Sequence, residues 1–142
     1  MDQDAMDSVN FKAGRHLIDA LMARDVRIEV AFWARLSGED RWLLYLASPS
    51  TDEKGAGWVY QVLHRILHDA PEWGIDPFSV TVCGPGTPMM VAAAEIIKPK
   101  TSEELKPYRG MTRFTGLSLG GIGIEGAYIY PHVNQDNILK AS

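Results

Sequence analysis

Apolar positions along the chain follow two rhythms. From Val26 to Leu36 they alternate, with Val26, Ile28, Val30, Phe32, Ala34 and Leu36 separated by Arg27, Glu29, Ala31, Trp33 and Arg35. A period of two predicts a β-strand, because successive side chains leave opposite faces of a pleated backbone. After a Ser37-Gly38-Glu39-Asp40 turn, Arg41 to Ser48 repeats the pattern, with Trp42, Leu44 and Leu46 on one side and Leu43, Tyr45 and Ala47 on the other. Elsewhere the apolar spacing is three to four. Val9 to Ala23 carries Phe11, Leu17, Ile18, Leu21 and Met22, and Gly57 to Asp69 carries Val59, Val62, Leu63, Ile66 and Leu67. Both read as amphipathic helices. Pro71 follows the second, where a helix is expected to stop.

Downstream the same reasoning gives a short strand, Phe78 to Cys83, with Phe78, Val80 and Val82 on one face. Gly84-Pro85-Gly86 turns the chain, and Thr87-Pro88 has the form of a helix cap followed by a first helical residue. The helix it opens, Pro88 to Lys98, has Glu95 as its only charge before Lys98 and is expected to be largely buried. Thr101 to Lys106 reads as one helical turn. Thr112–Leu119 and Ile122–Tyr130 are strands joined by Gly120-Gly121, a hairpin signature, and Gly126 marks a bulge in the second. Within this hairpin Leu117, Leu119, Ile122 and Ile124 form the expected buried set.

The element order is therefore α-β-β-α-β-α-β-β. It predicts a single α+β domain over 9–131, a mainly antiparallel sheet of about five strands packed with three helices. An acidic tail, 1–8, precedes it and a polar tail, 132–142, follows. Pairing Leu36 with Arg41 would set the better apolar face of one strand beside the weaker face of the other. A one-residue shift, placing Ala34 beside Leu44 and Phe32 beside Leu46, keeps one core face continuous. That register puts Trp33 opposite Tyr45 and requires an odd loop or a bulge near Gly38.

Composition narrows the class without choosing a function. The chain has 142 residues, 46% of them hydrophobic, a formal charge of -4 and one cysteine. Its length suits one domain, its apolar content excludes wholesale disorder, and a single cysteine excludes an internal disulfide. Net negative charge argues against nucleic acid and anionic membranes as partners. The first eight residues lack the cationic start of a secretory signal. Pro77–Ala94 lacks Asp, Glu, Lys and Arg, but its prolines and glycines break it up as a membrane span. The expectation is a cytoplasmic protein.

Chemistry-bearing residues are sparse. Gly84, Gly86 and Thr87 lie where a strand passes into a helix, a place at which backbone N–H groups attract phosphate. No Lys or Arg follows before Lys98, and the third glycine of a dinucleotide fingerprint is replaced by Met89, so neither phosphate motif is complete. Cys83 adjoins the same turn and becomes a nucleophile candidate if its pKa is lowered. His64 and His68 stand four apart on one helix and could share a metal, although Arg65 occupies the position of a zincin glutamate. The second sheet face, Trp33, Tyr45 and Leu43 with Ala31 and Ala47, flanked by Arg27, Arg35 and Arg41, has the composition of a protein interface.

The expected function is thus a non-enzymatic interaction or accessory module, acting through that sheet face on another protein or on itself, with no cofactor. The alternatives are a small enzyme using Cys83 or the histidines, and a binder of a phosphate-bearing ligand at the Cys83–Thr87 turn.

Overall fold

The computed structural model describes residues 8–97 and 113–130. The acidic segment up to Asp7, the Thr101–Lys106 turn and the C-terminal tail lie outside them. Within them the chain forms α1 (Ser8–Ala23), β1 (Val30–Leu36), β2 (Leu43–Ala47), a short α2 (Ser50–Lys54), α3 (Ala56–Asp69), β3 (Val80–Cys83), α4 (Pro88–Ile97), β4 (Arg113–Leu119) and β5 (Ile122–Ile129). The expected α+β order holds, with the short α2 added between β2 and α3.

One five-stranded sheet runs β3-β2-β1-β5-β4. Its pairings are antiparallel except β2 with β3, which are parallel and joined through α3. A parallel neighbour needs such a crossover, because a tight turn can only reverse the chain. Gly120 and Gly121 close the β4–β5 hairpin with φ of 59° and 86°, the left-handed geometry that matches strand twist. The bulge expected near Gly126 is present: Arg35 pairs with Gly126 but Leu36 with Ile124.

The β1–β2 register differs from the one expected. Trp33 pairs with Leu44 and Phe32 with Tyr45, which continues the Leu36–Arg41 alignment that looked unfavourable in sequence. The reason is that helices cover both faces of the sheet, so neither strand has a face to spare. On one side α1 and α3 cover Ala31, Trp33, Leu44, Leu46, Val80, Val82, Tyr128 and Tyr130. On the other, Met89, Met90 and Ala93 of α4 pack with Val30, Phe32, Ala34, Tyr45, Ala47, Ala127 and Ile129. Every residue from Val30 to Ala34 is buried, as expected of a central strand in a three-layer arrangement. Each fully buried Leu, Ile or Phe contributes about 1.5–3 kcal/mol of transfer free energy.

Two strands start later than their alternation implies. Asp25 adopts φ of 68° after α1, and the chain to Glu29 runs in before β1 begins. Pro77–Ser79 forms a single tight turn, not strand, so Phe78 leaves the face of Val80 and Val82 and stands 81% exposed. In the last hairpin Leu119 and Ile124 are buried as expected, whereas Ile122 is exposed and the Leu117 side chain lies outside the described set. No helix among the described residues is long and apolar enough to cross a membrane.

Candidate functional site

The ends of the parallel strands β2 and β3 bring two loops together. Ser48 N donates to Cys83 O at 2.9 Å, which fixes the loop after β2 against the turn after β3. Ser48 and Ser50 are buried and paid for with hydrogen bonds: Ser48 Oγ accepts from Ser50 N at 3.2 Å and Ser50 Oγ accepts from Arg27 N at 3.1 Å. Thr51 Oγ1 donates to Ser48 O at 2.8 Å, so the polar groups of this loop are satisfied within the chain.

On the other loop, Thr87 N donates to Gly84 O at 3.2 Å and Thr87 O accepts from Val91 N at 3.0 Å, opening α4. The Thr87 hydroxyl lies 3.0 Å from Gly84 O and 3.8 Å from Cys83 Sγ. It therefore holds the turn closed. Above Gly84 stands a carboxylate: a Cβ placed there would lie 3.5 and 3.6 Å from the two Asp52 side-chain oxygens. Gly84, Gly86 and Thr87 thus form a turn with an acidic side chain beside it, and like charges repel.

The surroundings of the thiol oppose its activation. Cys83 is half-buried, and burial pushes its pKa up, with the Thr87 hydroxyl pulling partly the other way. A reactive cysteine needs the opposite shift. No thiol–imidazole hydrogen bond forms among the described residues. His64 and His68 are exposed on α3, where His68 Nδ1 lies 3.5 Å from Asp69 Oδ1 and the His64 ring meets Tyr60 edge-on at 6.3 Å. Among the described residues no group of three His, Cys, Asp or Glu side chains is placed to hold a metal.

The expected interface face is not formed as an exposed surface. Trp33 and Tyr45 are 6% and 8% exposed, and they lie on opposite faces of the sheet, Trp33 under α1 and α3, Tyr45 on the α4 side. Ala31 follows Trp33, while Leu43 and Ala47 follow Tyr45. Arg35 is drawn to Glu125 at 2.8 Å, and Arg41 is exposed beyond the β1–β2 turn. The residue types of an interface are present, but the register distributes them between two cores.

Alternation did not reveal what stands at the start of α1. There Asn10, Trp42, Ile75, Asp76 and Ser79 line a cleft of about 240 Å³ whose inner wall is Trp33. Phe78 projects from the same 76–79 turn. That turn is rigid: Asp76 Oδ1 accepts from Phe78 N at 2.9 Å, Asp76 O accepts from Ser79 N at 2.8 Å, and Pro77 fixes its own φ. The available sequence signal was Asp76-Pro77, which opens a turn and delays the strand. No family model, curated protein or solved structure matches the chain.

Proposed function

We propose that the protein is a non-enzymatic interaction module, and that it engages another protein chain through Phe78 and the adjoining Trp42–Ile75 cleft. The carrying observation is Phe78, a large aromatic ring 81% exposed on a turn already fixed by hydrogen bonds. An exposed aromatic on a backbone already held by hydrogen bonds offers a large apolar area with few torsions to order on binding, and aromatic residues of this kind anchor interfaces. The cleft beside it combines the aromatic Trp33 and Trp42 with the polar Asn10, Asp76 and Ser79, the mixture of residue types found at interfaces. A single cysteine, with no second one in the sequence to pair with, suits a reducing compartment such as the cytoplasm.

The enzyme and phosphate-ligand readings have less support, since Asp52 faces the turn and Cys83 lacks an activating partner there. The experiment is site-specific photo-crosslinking in cells, with the photoreactive residue at position 78 or, as control, at exposed His68. A discrete adduct from position 78 alone supports the reading, and its mass separates a second copy from a different protein. Equal labelling at both positions, or none, overturns it.

A further inference from the structure

We infer that the groove between the end of α1 and the flank of α3 docks an acidic segment of another protein that carries one bulky apolar side chain. This surface is separate from the Phe78 cleft: the cleft lies at the start of α1, the groove just beyond its last residue.

Four groove residues, Trp58, Gln61, Val62 and Arg65, recur at helical spacing along α3, and Arg24 closes the opposite wall. Trp58 and Val62 are partly buried against the edge of the α1–α3 core, so the floor is apolar. The volume is about 210 Å³. Drug-sized ligands usually fill clefts of roughly 300–1,000 Å³, so this groove suits a single side chain better than a whole small molecule.

The walls are cationic. Lys54 Nζ stands 4.3 Å from the centre of the Trp58 ring, a cation–π contact that sets a third positive charge against the groove's aromatic residue. Arg15, Arg27 and Arg35 each face a carboxylate, Asp19, Glu53 and Glu125 respectively. The guanidinium groups of Arg24 and Arg65 form no ion pair or hydrogen bond among the described residues, and no Asp or Glu lines the groove. In a chain of net charge -4 this is a local reversal of sign. Arginines on either side of an aromatic floor present planar donors to carboxylates while the floor takes the apolar group.

The test uses the full chain and a fluorescent eight-residue peptide of glutamates around a central phenylalanine, read by anisotropy. Binding that falls ~10-fold or more in Arg65→Glu, in Arg24→Glu, and when the peptide phenylalanine becomes alanine supports the inference. Both arginines are exposed, so both variants are expected to fold. Phe78→Ser leaving peptide affinity unchanged keeps the result distinct from the interface proposed above. Equal affinity of the Arg65→Glu variant, equal binding of the lysine counterpart of the peptide, or tighter binding of a thymidine oligonucleotide overturns it. So does a monomer–dimer equilibrium abolished by Arg65→Glu, which would assign the groove to a second copy.

Discussion

Trp33 Nε1 donates to the hydroxyl of Tyr130 at 2.8 Å, joining the central strand to the residue after β5 across 97 positions of sequence. The same hydroxyl donates to Phe11 O, and the Tyr130 ring stacks on Phe11 at 4.1 Å. Room for this junction comes from Gly14 of α1. A Cβ there would lie 2.1 Å from the Tyr130 oxygen and 2.8 Å from Trp33 Nε1.

Gly14→Ala is therefore expected to destabilise the protein although alanine is the better helix former. Overpacking costs about 1–3 kcal/mol, against about 1 kcal/mol gained in helix propensity. Tyr130→Phe alone leaves the buried Trp33 N–H unsatisfied and costs about 1–3 kcal/mol. In the double variant the clashing oxygen is gone, so the two losses add to less than their sum. Urea unfolding of the four proteins checks this, and strict additivity would refute the shared junction.

The outer edge of β3 is occupied by a side chain. Tyr60 of α3 accepts from Val82 N at 2.9 Å, and its hydroxyl lies 3.5 Å from Val82 O. An open strand edge is a template for pairing with another chain, and this phenol stands where a further strand would bond. Tyr60→Phe should accelerate hydrogen exchange at the Val82 amide and increase concentration-dependent association. Loss of the bond should cost roughly 1 kcal/mol. Unchanged exchange at Val82 would show that the phenol does not guard the edge.

Alkaline pH should weaken the fold. Burial raises Cys83 above its ordinary 9.0 and Tyr45 above 10.0, the latter helped by the neighbouring thiolate and by Glu39. Burial also raises Tyr130 strongly, with the Trp33 hydrogen bond opposing in part. Groups whose folded pKa is raised contribute full stability below the unfolded pKa. That stability is lost as pH climbs, because the unfolded chain releases protons that the folded chain retains. Urea midpoints should thus be flat near pH 8 and fall above about pH 9. Cys83→Ala should remove the first part of the decline.

The same thiol should react slowly. Alkylation of native Cys83 by iodoacetamide is expected to lag behind the unfolded chain at equal pH, since the thiolate is the reactive form. Thr87→Val removes the hydroxyl that lowers the Cys83 pKa and should slow the reaction further. Faster alkylation in that variant would reverse the assigned role of Thr87.

Sequence carried the elements well where one physical signal dominated. The Gly120-Gly121 hairpin, the Gly126 bulge and the Thr87-Pro88 start of α4 each follow from backbone constraints local to the residues named. The β1–β2 register did not follow, because choosing it from Val30, Phe32 and Ala34 presumes a single core. Ala31 and Trp33 prove equally buried under α1 and α3. The interface residues failed for the same reason: Trp33 and Tyr45 differ in parity from their partners only once the register is known. Phe78 was legible in part, since Pro77 stands at the head of its turn, yet alternation with Val80 and Val82 masked it. The Arg24–Arg65 groove joins α3 to the turn after α1, a juxtaposition that no periodicity within α3 can encode.

The place of β1 between β2 and β5 has a consequence for synthesis. β2 is made almost at once after β1, but the strand that fills the other side is completed only at Ile129, and its anchor to Trp33 lies 97 residues on. At ~5–20 residues per second the central strand waits roughly 5–20 s on the ribosome with one edge unpaired. Nothing can close the sheet early, because β5 carries the missing ladder and the residue just after it is the tyrosine that ties the sheet to the first helix. The nascent chain is thus most exposed to mispairing just before β5 is made, and a truncation ahead of β5 would leave that state permanent.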